Sequence, residues 1–244
     1  MQSDAWYLAL LKPFSHKRTS RSGRSGGNYK NGKDEHMKAQ LKLKDALTSN
    51  LGWFENSGVM VPKDGLWGVA ERVALKGNDS MDKIYSHFQA WTEFGGYSVI
   101  EHRRADCNFE TALLFLLASE ALNRKKFRCV AENILDFLYF RSGMLTRFSS
   151  DEALVGTWAW SHVGRGIWFD DNAWNCAIQL AIGAKYPGLE RKYGMMKWGI
   201  ALADKIAAAF MSHFEAAEGF KPVWLGNLKL PHWGSLACMA MAKA

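Results

Sequence analysis

At 244 residues, with 48% hydrophobic and 23% charged side chains, the chain is long enough for one substantial domain and too apolar for extensive disorder. Its net charge of +7 is local: residues 1–45 carry ten Lys/Arg and four Asp/Glu, a net of +6, which leaves 7 − 6 = +1 for the remainder and argues against nucleic acid as the main partner. No stretch approaches the ~18–20 apolar residues of a membrane span.

Four cysteines (Cys107, Cys129, Cys176, Cys238) lack metal-ligand spacing and read as buried free thiols. Neither a metal nor a cofactor is expected, and a cytoplasmic location is favoured. The apolar cluster Ala5–Leu11 is too short for a signal peptide. Residues 15–35 are Ser/Gly/Arg-rich without a hydrophobic period, so residues 1–35 read as a basic flexible segment ahead of a folded domain, 36–244.

From His36 the pattern turns helical, with Met37, Leu41, Leu43, Leu47 and Leu51 outlining a first helix that ends near Gly52. Gly- and aromatic-rich loops follow, including Trp67 and Glu71. A second helix is predicted after Asn78-Asp79-Ser80, running through Ile84, Phe88 and Trp91 and ended by Gly95-Gly96. No strand alternation stands out in the body, apart from Lys221–Leu225, which has the composition to pair locally.

The clearest helix pair comes next. Residues 107–122 contain the run Ala112–Ala118, apolar on every side as in a helix buried all round, whereas 125–141 line only one face with Phe127, Val130, Ile134, Phe137 and Leu138. The plan recurs at 166–186, followed by an amphipathic helix from Arg191 to Phe210. Aligning Asp106–Ala112 with Asp171–Ala177 gives an offset of 65 residues. Each copy opens on an Asp at a helix mouth. Stacked hairpins of this kind bury their inner helices in an arc or ring, with those helices parallel and their N-termini at one end. Asp106 and Asp171 are then expected at the same end, beside Asp170. Aromatics next to paired carboxylates, here Trp168 and Trp174, suit a sugar, which presents apolar C–H faces and an acetal oxygen to protonate. A competing reading makes these aspartates helix N-caps.

Two stretches, Arg103-Arg-Ala-Asp-Cys-Asn-Phe-Glu-Thr-Ala112 and Ile167-Trp-Phe-Asp-Asp-Asn-Ala-Trp174, each leading into a long apolar helix, resemble the six-hairpin glycosidases. Pro231-His-Trp-Gly-Ser235 resembles the start of a later inner helix of that group. The resemblance spans roughly residues 60–244. It implies an all-α fold, an α/α toroid of the (α/α)6-barrel kind, and hydrolysis of a glycosidic bond by paired carboxylates. In α-mannan-degrading relatives an adjacent Asp pair supplies nucleophile and acid/base, which matches Asp170 and Asp171. Other members use one Asp there with a carboxylate from another hairpin, a role that Asp106 fits, followed by Glu110 and Glu71. A full ring has twelve helices. About seven or eight are legible here, so a partial barrel is expected, with an apolar flank that self-association would cover.

Around these acids, His102 and Arg104 are candidates for binding an acidic sugar or steadying Asp106. His162 precedes the Asp pair by one loop, and His232 stands at the last helix mouth. Alternatives remain open: a glycosidase, a non-catalytic helical module binding a glycan or protein, or, ranked last, a sugar epimerase, which would want histidines on the inner helices.

Overall fold

The computed structural model describes residues 28–75, 88, 90–215 and 231–244. The chain divides into two compact units at Leu43/Lys44, and the second holds the whole core discussed below. The described residues are mostly helical, with seven α-helices and one small three-stranded sheet.

The first helix, α1, is Asn28–Asn56 and begins ahead of His36, inside the stretch read as flexible. Residues 28–35 lack an apolar period but contain no proline, so nothing in them stops a helix from extending backwards. Of its apolar residues Leu51 is buried and Leu47 half-buried, whereas Met37, Leu41 and Leu43 are exposed.

The predicted helix through Phe88 and Trp91 gives way to a sheet. Asn78–Ile84 lie outside the described residues, and so does Lys221–Leu225. The strands are β1 (Arg72–Leu75), β2 (Trp91–Phe94) and β3 (Tyr97–Ile100), in the order β1-β3-β2, all pairs antiparallel. Gly95, at φ +61°, and Gly96 form the two-residue turn of the β2–β3 hairpin rather than a helix end. Ser98, Val99 and Ile100 of β3 are buried, while β2 is exposed along its length. The pairing of β1 with β3 sets Glu71 beside His102 at the end of the ladder, where the Glu71 N–H donates to the His102 carbonyl at 3.1 Å.

Directly after the sheet comes α2, Ala105–Leu122, then α3, Lys125–Asp136, and a π-helical turn, Phe137–Arg141. Asn123, at φ +50°, closes α2, and Arg124 N donates to Ser119 O across the hairpin turn. The predicted inner face of α3 is buried as expected. The second hairpin pairs α4, Phe169–Lys185, with two helices where one was expected: α5, Pro187–Tyr193, and α6, Met195–Glu215. Gly194 sits between them at φ +65°, a left-handed backbone that interrupts the helical pattern. The last helix, α7, is Pro231–Lys243 and packs on α4 and α6.

The helices α2 and α4 lie side by side, pointing the same way. Three cross-helix contacts show it: Asp106 meets Asp171 at the N-terminal ends, Trp174 reaches Glu110, and Lys185 reaches Glu120 at 2.8 Å near the C-terminal ends. An antiparallel pair would reverse that order. Between the hairpins, Trp158, Phe109 and Tyr139 meet edge-to-face, with centroids 4.9 and 5.2 Å from the Trp158 ring, and all three are buried. The Tyr139 hydroxyl donates to Gln179 at 3.0 Å, satisfying a polar group deep in the core.

Not every cysteine is buried. Cys176 is and Cys107 is half-buried, but Cys129 and Cys238 are exposed. Among the described residues no helix is long and apolar enough to cross a membrane.

Candidate functional site

Both inner helices start in the same way. The Asn108 amide accepts from Val69 N at 2.7 Å and donates to Val69 O at 3.0 Å and to Arg104 O at 2.7 Å. Asn172 accepts from Trp158 N at 2.8 Å and donates to Trp158 O and Trp168 O, both at 2.9 Å. Each Asn thus clips a preceding loop to the first turn of its helix, and each is wholly buried. These equivalent clips correct the alignment of the two copies: Asn108 matches Asn172, an offset of 64 residues, so Asp106 corresponds to Asp170, and Cys107 to Asp171. The Asn clips were missed from sequence, although both copies spell Asp-x-Asn at the helix mouth.

The aspartates are not N-caps. The capping positions are Arg104 and Trp168, neither of which makes a side-chain cap bond. Asp106, Asp170 and Asp171 stand in the first turns, where the helix dipole favours a carboxylate.

Arg104 organises the cluster. Its Nη2 contacts Asp106 at 2.5 Å and also Asp171, and its Nη1 contacts Glu71 at 3.2 Å. The guanidinium lies 5.8 Å from the centroid of the Trp160 ring. Loop 160–162 reaches it because it pairs with the start of α2: Arg104 bridges Ser161, Ala105 N donates to Trp160 O, and His162 N donates to Arg103 O. The two inner-helix mouths are therefore joined by backbone as well as by charge.

Burial raises Asp171 to about 8; the negative charge of Asp106 adds to this and Arg104 opposes it. A hydrogen bond to Asp106 and the charge of Asp170 raise it further. The Asp106–Asp171 pair therefore holds a proton at neutral pH. Burial likewise raises Glu110, one turn further along α2, while its bond from the Trp174 indole N–H works the other way. Burial pushes Glu71 up, but the His102 hydrogen bond and the charges of Arg104 and Arg72 outweigh it and hold Glu71 below the usual carboxylate range.

The remaining candidates divide. His102 is 1% exposed, with Nδ1 at 3.1 Å from Glu71 and its ring between Phe88 and Trp160 at 4.8 and 4.7 Å. It steadies Glu71 from inside the protein rather than offering itself to a sugar. Arg103 pairs with Glu101. His162 accepts from Arg103 N at 3.2 Å, and burial and the Arg103 charge lower its pKa, so it acts as a neutral latch between loops. Trp168 is half-buried, 6.3 Å from Trp160, and Trp174 is half-buried over Glu110. Trp67 is 51% exposed in the preceding loop and takes no part in the contacts of the cluster. The His232 side chain lies outside the described residues.

Among the described residues no group of His, Cys, Asp and Glu is placed to hold a metal ion. A cavity of about 740 Å³ opens elsewhere, against α6, lined by Arg147, Phe148, Glu152, Ala201 and Lys205. It carries none of the clustered acids, and the chemistry of the acids outweighs its size as a guide to function.

Comparison of the chain with models of protein families, with characterised proteins and with solved structures finds no match.

Proposed function

We propose that the chain is a glycoside-hydrolase-like protein in which the Asp106–Asp171 pair donates a proton to a glycosidic oxygen. One observation carries the reading: two carboxylates from neighbouring parallel helices meet on a single arginine nitrogen, where burial and the neighbouring negative charge favour a proton on Asp171. Asp171 is the donor, its proton passing to the leaving-group oxygen as the C–O bond to the sugar breaks. The pair is in contact, closer than the ~5 Å at which two carboxyl groups straddle a glycosidic bond, and so it works as one proton-holding unit. The opposing carboxylate, which bonds to the anomeric carbon or takes a proton from the water that does, is then one of the two that flank it, Asp170 or Glu110. Trp168 and Trp174 supply the apolar faces for a sugar ring, and the partner is an oligo- or polysaccharide.

The hairpins α2–α3 and α4–α6 are, on this reading, consecutive units of a helical toroid. The parallel inner helices and the repeated Asn clip support it.

A second reading, a non-catalytic helical-repeat module, draws on the same cluster, because structural ion networks also shift titrations. Release of reducing ends from a panel of neutral oligosaccharides at pH 6 separates them. Cleavage by the wild type that drops by about 10²-fold or more in Asp171→Asn supports the hydrolase. No cleavage of any substrate supports the module, and cleavage undiminished in the variant removes Asp171 as the donor.

A further inference from the structure

Glu71 belongs to neither inner helix. It enters the cluster from the residue before β1, and its carboxylate is gripped from two sides. One oxygen, Oε1, faces His102 Nδ1 at 3.1 Å, and the other, Oε2, faces Arg104 Nη1 at 3.2 Å. Arg72 pairs with it from the outer side. His102, buried between Phe88 and Trp160, has no room to swing away, and the Glu71 backbone is tied to the His102 carbonyl. A fixed chain thus runs His102–Glu71–Arg104, ending on the nitrogen that touches both Asp106 and Asp171.

We infer that Glu71 is a positioning residue that sets, through Arg104, how tightly the Asp106–Asp171 pair holds its proton. Two effects act in one direction. By engaging Nη1, Glu71 shares out the positive charge that would otherwise favour an ionised pair. Its own negative charge, 7% exposed and so weakly screened, adds to the repulsion. The other charged or titratable groups facing this chain are Asp170 on α4, Cys107 and Glu110 on α2, and Arg72 on β1. Of these, only Arg72 contacts Glu71 as an opposite charge, and Glu71→Gln leaves the other three in place. The inference rests on the proposed proton-donating role only for its consequence in catalysis.

The test follows the carboxyl ¹³C resonances of Asp171 against pH in the whole chain, for wild type, Glu71→Gln and Glu71→Asp. Gln keeps the shape and removes the charge, so the upper midpoint of the pair should fall by about one pH unit. Asp keeps the charge but draws it back from Arg104, and the midpoint should fall by less. If Glu71→Gln does not fold, Glu71→Asp decides by itself. Midpoints unchanged from wild type in the folded variants overturn the inference. Reducing-end assays on the same proteins keep the two proposals apart. A pair that responds to Glu71 but cleaves no glycan leaves this inference standing and removes the hydrolase. Cleavage with an unresponsive pair does the reverse.

Discussion

Asp106, second residue of α2, and Asp171, third residue of α4, meet on the same Nη2 of Arg104, because their helices run parallel with a stagger of one position. This stagger has a direct thermodynamic consequence. Asp171 is raised from 3.8 to about 8. Between those values the native state holds a proton that the unfolded chain has released, so stability is present at low pH and falls as pH rises through this window. Thermal unfolding from pH 5 to 8 should show the decline. Asp171→Asn should flatten it and be at least as stable as wild type at pH 8, whereas parallel curves would count against the buried pair.

Arg104 compensates three carboxylates at once. Replacing it with Gln leaves them facing each other and should cost about 3 kcal/mol in urea unfolding at pH 7. Lys should recover only part of the loss, since an ammonium lacks the fork that reaches Glu71 and the Asp pair together.

The two Asn clips make a matched pair of predictions. Asn108→Ala orphans both backbone groups of Val69, and Asn172→Ala those of Trp158. Each should cost about 2–3 kcal/mol by chemical denaturation. A neutral result at either position would break the equivalence of the two hairpins.

Close helix approach predicts a fourth effect. A Cβ on Gly199 of α6 would stand 2.6 Å from Leu180 Cδ2, a side chain that is 1% exposed. Gly199→Ala should therefore lower the melting temperature despite alanine's ~1 kcal/mol advantage in a helix. A rise in melting temperature would mean that α4 and α6 are less tightly packed.

Under the proposed hydrolase reading, charge also bears on substrate class. Arg104 is engaged by three carboxylates and its neighbour Arg103 by Glu101, so neither cation is open to an acidic sugar. Neutral oligosaccharides should be cleaved in preference to their uronic-acid counterparts, and competition assays at low salt would show it. Preference for the uronate would refute this assignment.

Much of this was legible in sequence, for identifiable reasons. The apolar run at 112–118 and the one-sided pattern of 127–138 give α2 and α3, because burial imposes the period directly. The convergence of Asp106 and Asp171 followed from repetition alone. The one-residue error in the alignment did not prevent it, since both acids lie within a single turn. What escaped was non-local. The strands β2 and β3 are four residues each, too short to alternate visibly, and the Gly95-Gly96 turn between Trp-Thr-Glu-Phe and Tyr-Ser-Val-Ile was the available signal. The role of His102 depends on Phe88 and Trp160, which no local pattern places beside it.

The titration of Asp171 in the wild-type protein tests the central claim most directly. Carboxyl ¹³C NMR from pH 3 to 9 should show Asp171 losing its proton near 8, well above an ordinary aspartate. A midpoint near 4 would mean that Asp171 carries no proton at neutral pH and has none to donate.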